Sequence, residues 1–145
     1  MNIAVKSGFS SINMYYPYPD YKFMTNLFSS QRLPQCGELN DNKRNFDNDR
    51  FELFDESVVF DAMIEEETFP LYSNSFLMLL GPKLPVEYVR YGNDRAPEYC
   101  IRTDIICDDG KKEAIKTPMS EQANLISAEY RRTERNSAND IRAER

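Results

Sequence analysis

From residue 75 onward, apolar and polar positions recur with the period of strands. Ser75-Phe-Leu-Met-Leu-Leu80, closed by Gly81-Pro82, is a short apolar run that predicts a buried strand. Val86-Glu-Tyr-Val-Arg-Tyr91 predicts a second, stopped by Gly92-Asn93-Asp94. In Tyr99–Cys107 the period is clearest. Tyr99, Ile101, Thr103, Ile105 and Cys107 share one face, and Arg102 and Asp104 the other. Asp108-Asp109-Gly110 reads as a turn, and residues 112–116 as the returning strand. Together these predict a meander of about four antiparallel strands over residues 75–117.

Helical spacing occurs twice. In the middle of the chain Val59, Phe60, Met63 and Ile64 fall on one helix face, with Asp55 or Ser57 placed to cap it. Its far end carries Glu65, Glu66 and Glu67, which the helix dipole disfavours there. An extended reading of residues 51–60 therefore stays open. Near the C-terminus, Thr117-Pro118 reads as cap and first helical residue, with Met119, Ala123, Ile126 and Tyr130 forming a stripe. The stripe ends there, so residues 136–145 are expected to form a charged, frayed helical tail beyond a domain spanning residues 1–135.

The first fifty residues are harder to parse. Residues 2–9 are compatible with a strand and 22–30 with a short helix carrying Phe23 and Leu27 on one side. Between them, MYYPYPDYKF carries Tyr15, Tyr16, Tyr18, Tyr21 and Phe23, with Pro17 and Pro19 interleaved. The prolines bias this stretch to extended geometry, so it reads as a stiff aromatic arm. It serves either as cover for the protein's own core or as a contact surface for a partner. Residues 31–50 read as a polar loop. The expected fold class is α+β: a small antiparallel meander packed with the middle and C-terminal helices.

Composition narrows the chemistry. The chain has no histidine, which removes histidine-based nucleophile systems, imidazole zinc sites and histidine acid–base catalysis. No glycine-rich nucleotide fingerprint or C-x-x-C occurs. Cys36, Cys100 and Cys107 make an odd count, so free thiols and no disulfide are expected. Asn45-Phe-Asp47-Asn-Asp49 with Glu56 mimics part of a calcium loop, but Arg50 stands where the sharp turn requires glycine. The carboxylates Asp104, Asp108 and Asp109, and Glu65–Glu67, leave a metal-dependent carboxylate enzyme as one alternative. No catalytic residue, cofactor or metal is expected. With no sign of a secretory leader and no apolar run able to cross a bilayer, a soluble cytoplasmic protein is the expectation.

Charge is placed unevenly. Residues 38–67 hold eleven acids against three bases, a local −8 within a net −6. A basic partner surface would suit this segment. The expectation is a non-enzymatic interaction protein, either an assembly subunit or a small inhibitor or regulator, with oligomerisation left open. Candidate contact residues are Tyr15, Tyr16, Tyr18 and Tyr21 on the arm, Asp61, Glu65, Glu66 and Glu67 in the acidic segment, and Arg131, Arg132 and Arg135 near the C-terminus. The other alternative is a single-stranded nucleic-acid module using the arm and the 99–117 hairpin, with Arg90, Arg95, Arg102 and Lys111 gathered beside the rings. The acidic segment speaks against it.

Overall fold

A computed structural model describes residues 3–40, 53–92 and 95–128. The fold is α+β, a six-stranded antiparallel sheet with helices. The strands are β1 (Ser11–Tyr18), β2 (Asn26–Ser29), β3 (Leu77–Gly81), β4 (Val86–Tyr91), β5 (Ile101–Asp108) and β6 (Lys111–Pro118), in the spatial order β3-β1-β2-β4-β5-β6. The helices are α1 (Ile3–Lys6), α2 (Glu56–Glu65) and α3 (Phe69–Tyr72), followed by α4 over residues 121–128.

β4 falls on Val86–Tyr91 as the periodicity predicts, and the β5–β6 hairpin turns at Asp109-Gly110. Both turn residues have positive φ, 47° and 79°. That pair of left-handed residues is what a two-residue hairpin turn demands, and Asp-Gly supplies it cheaply. The other strands depart from expectation. The meander holds three strands, β4-β5-β6, because β3 pairs with β1 at the far edge of the sheet. Residues 3–6 form a helical turn rather than a strand. Residues 26–29 are β2, with all four side chains buried. A strand covered on both faces loses its two-residue alternation, so the spacing of Phe23 and Leu27 resembled a helix.

The aromatic arm is β1, a central strand. Its prolines fit for a specific reason. The Met14 carbonyl accepts the Ser30 N–H at 2.9 Å on the β2 side, so alternate residues, Pro17 among them, turn their backbone groups toward β3. The β3 ladder begins at Leu77 opposite Tyr15, so Pro17 removes no ladder hydrogen bond.

Cross-strand neighbours then build two apolar clusters. Tyr16, Phe28 and Tyr88 are register partners on one face. They pack with Tyr18, Leu39 and Phe69, and α2 adds Phe60 and Ile64 from successive turns. The rings meet edge-on, with centroids 5.9 Å apart for Tyr16–Phe69 and 5.7 Å for Tyr18–Phe60. Asp55 caps α2 by accepting the Ser57 N–H at 3.0 Å. On the opposite face Tyr15, Leu27 and Val89 gather Met24, Leu84, Val86 and Tyr91.

Residues 82–85 must cross from β3 past β1 and β2 to β4, about 14 Å at the usual strand spacing. Asn13 holds this strap by donating to the Pro82 carbonyl at 2.9 Å and accepting the Leu84 N–H at 2.8 Å. The Tyr15 hydroxyl donates to the Val86 carbonyl at 3.0 Å.

Of the loop expected over 31–50, residues 31–40 are described, and Leu39, 2% exposed, anchors them in the core. The C-terminal cap also differs. Thr117-Pro118 closes β6, and Ser120 caps α4 by accepting the Ala123 N–H at 3.0 Å while its hydroxyl donates to the Pro97 carbonyl. Of the predicted stripe, Ala123 is buried, while Met119 and Ile126 are exposed. Tyr130, the tail at 136–145 and the calcium-like Asn45–Asp49 stretch lie outside the described residues.

Candidate functional site

β3 is the feature that packing inside this chain does not explain. Its run Phe76-Leu-Met-Leu-Leu80 was expected in the interior, yet each of the five side chains is 38 to 57% exposed. The reason is position: β3 touches β1 on one side and, among the described residues, no strand on the other. Alternation along β1 aims the backbone groups of Tyr15 and Asn13 at Leu77 and Leu79. The N–H and C=O groups of Phe76, Met78 and Leu80 consequently point outward, along the open edge.

Edges of this kind are usually blunted by charge, proline or cover. The other edge of this sheet obeys that rule: β6 reads Lys111-Lys-Glu-Ala-Ile-Lys-Thr-Pro118. From Ser75 to Gly81 there is no charged residue. Phe76 is anchored at the start of the run, where its ring meets Tyr16 edge-on at 5.9 Å.

The contact residues expected from sequence are dispersed. Tyr15, Tyr16 and Tyr18 are core side chains, so the structure corrects their assignment to a partner surface; of the four tyrosines, Tyr21 alone is exposed, at 68%. Ring burial also pushes the Tyr15 hydroxyl above its ordinary pKa. Asp61 is half-buried, and its carboxylate accepts the Gly37 N–H at 2.8 Å, which makes it a structural tie between α2 and the 36–40 segment. Glu65, Glu66 and Glu67 are exposed at the end of α2. Glu66 is the helix C-cap, its N–H donating to the Ala62 carbonyl, and the Glu67 N–H donates to the Ile64 carbonyl. Arg131, Arg132 and Arg135 lie outside the described residues.

Three other acidic side chains are paired with cations. Glu38 pairs with Arg32, Asp104 with Arg102, and Glu87 with Lys112 at 2.8 Å. The Lys112 ammonium beside Glu87 holds that carboxyl below its usual pKa. No group of three or more metal-ligating side chains occurs among the described residues. Cys36, Cys100 and Cys107 are free thiols, and no helix among the described residues is long and apolar enough to cross a membrane.

A basic concavity lies across β4, β5 and β6. Arg90, Arg95 and Lys116, with Gly92, Ile101 and Thr103, line a groove of about 170 Å³. Register explains it: Arg90, Thr103 and Lys116 are successive cross-strand partners on β4, β5 and β6. Of the four cations expected to gather beside the arm, Arg90 and Arg95 line this groove. Arg102 is committed to Asp104 through two hydrogen bonds, of 2.6 and 2.7 Å, and Lys111 stands at the hairpin end.

No protein family, no curated protein and no solved structure matches this chain in comparisons of sequence and fold.

Proposed function

We propose that this chain is a non-enzymatic protein-interaction protein, an assembly subunit or small regulator, whose principal contact is the open edge of β3. The observation that carries this reading is the five-residue uncharged apolar run left exposed at the rim of the sheet. Strand addition to such an edge supplies main-chain hydrogen bonds for affinity and side-chain complementarity for selectivity. Apolar surface of this extent also destabilises a lone monomer against association.

Affinity capture from cells of the native host, with wild type and a Met78→Lys variant side by side, tests the reading. A stoichiometric protein retained by wild type and lost with the variant is the expected result. Identical retention by both would remove β3 as the contact.

A second reading, an anion- or nucleic-acid-binding module, is favoured by the Arg90–Arg95–Lys116 groove. Stacking platforms for bases need exposed rings beside the cations, and Tyr15, Tyr16 and Tyr18 are committed to the core. Fluorescence anisotropy with a labelled single-stranded oligonucleotide at low salt separates the two. Saturable binding at micromolar protein, lost in Arg90→Gln/Lys116→Gln, would favour the second reading.

A further inference from the structure

We infer that the occupant of the β3 edge is a second copy of this chain, paired antiparallel through β3 about a two-fold axis so that two six-stranded sheets become continuous. This rests on the interaction reading above and names its partner. Four observations converge on it.

The first is self-complementarity in register. The outward backbone groups belong to Phe76, Met78 and Leu80, and an antiparallel self-pairing centred on Met78 uses all of them. It sets Met78 opposite Met78 of the second copy, Phe76 opposite Leu80, and Leu77 opposite Leu79. Every apolar side chain then meets an apolar one, and Gly81 and Pro82 fall outside the paired stretch. The second is charge. A protein of net −6 repels its own copies over most approaches. Ser75–Gly81 carries no charge, so two copies meet there without opposing like side chains.

The third is closure. An isologous two-fold contact consumes both open edges and stops at a dimer. Growth through β3 on β6 of another copy would make an open filament, and Lys111, Lys112, Glu113 and Lys116 on β6 discourage it. The fourth is area. Even with all the exposed surface of residues 76–80 covered on both copies, the contact comes to at most on the order of 1,000 Å², below the standard size of specific interfaces. The dimer is therefore expected to be weak and to dissociate on dilution.

The test is solution mass by light scattering over a concentration series, applied to wild type, Met78→Lys and Met78→Glu. Met78 is 53% exposed, so either substitution spares the core of the protomer; circular dichroism and thermal melting check this. Wild type should approach twice the chain mass of 17.0 kDa. Each variant alone should stay at the single-chain mass, since like charges would face each other across the axis. An equimolar mixture of the two variants should regain the double mass, because the axis then joins lysine to glutamate. A wild type that stays monomeric at millimolar concentration overturns the inference. So do variants that remain dimeric, or a mixture that fails to reassociate while wild type dimerises. A monomeric wild type that still loses a foreign partner on Met78→Lys would leave the interaction reading standing and remove the second copy alone.

Discussion

Arg32 and Glu38 meet fork to fork. The guanidinium Nη1 donates to Oε2 and Nη2 to Oε1, both at 2.6 Å. The same guanidinium lies 4.5 Å from the Tyr88 ring centroid and 5.4 Å from that of Phe28. One side chain thus clamps the segment after β2 onto the aromatic layer, through two parallel hydrogen bonds and two cation–π contacts. Lysine keeps the charge but not the planar fork. Arg32→Lys is expected to lower stability by about 1–2 kcal/mol, read as a reduced urea midpoint at unchanged slope. A variant as stable as wild type would show the clamp to be energetically idle.

The clamp makes stability acid-sensitive. Burial pushes the Glu38 carboxyl up, but the hydrogen bonds from Arg32 and the Gln35 N–H and the guanidinium charge outweigh it, and its pKa ends below the usual glutamate value. A carboxylate depressed in the folded state stabilises fully above its unfolded pKa, about 4.3. That contribution is lost as pH falls from there through the lower folded value. Melting temperatures measured between about pH 6 and pH 3 should fall more steeply for wild type than for Glu38→Gln at the acid end. Parallel curves would remove Glu38 as a source of the dependence.

Tyr16 and Tyr21, five residues apart, separate core from surface. Tyr16→Ala removes a ring that is 7% exposed and meets both Phe69 and Phe76. It should cost about 3 kcal/mol or more, a large part of an ordinary domain's total. Tyr21→Ala, at 68% exposure, should shift stability by less than about 0.5 kcal/mol. Chemical denaturation of the two variants checks this directly, and equal effects would contradict the placement of β1 at the sheet centre.

Cys36 should react slowly for an exposed thiol. Partial loss of water, then the charges of Asp61 and Glu65, push its pKa above the ordinary cysteine value. The thiolate is the nucleophile. With Cys100 and Cys107 replaced by serine, iodoacetamide labelling near neutral pH should therefore be slower than for a free cysteine peptide, and Asp61→Asn should accelerate it. Labelling as fast as the peptide would argue against that electrostatic setting.

What the residues revealed in advance followed from how far each element keeps one wet face. β4 was legible from its β-branched and aromatic residues stopped by Gly92, and the β5–β6 hairpin because Asp109-Gly110 names its own turn. α2 was legible from Asp55 and the spacing of Phe60 and Ile64. β2 was not, since both of its faces are covered and its pattern is uniformly apolar or small. β1 was hidden by its prolines, whose acceptability depends on where the β3 ladder starts. The candidate site was the hardest part to read. An apolar run such as Phe76–Leu80 looks the same whether its strand lies inside a sheet or at its rim. The pairing partner that decides between them, β1, is more than sixty residues away.

That separation also bears on how the protein is made. β1 and β2 leave the ribosome first but occupy the middle of the sheet, and their outer neighbours, β3 and β4, are synthesised after about fifty further residues. Until then the nascent chain carries Tyr15, Tyr16, Tyr18 and Phe28 without the two strands that flank them in the sheet. Long-range pairing of this kind slows folding and prolongs exposure of sticky segments. Products truncated before residue 76 should be protease-sensitive and dependent on chaperones, and resistance should emerge only once the chain extends past residue 91.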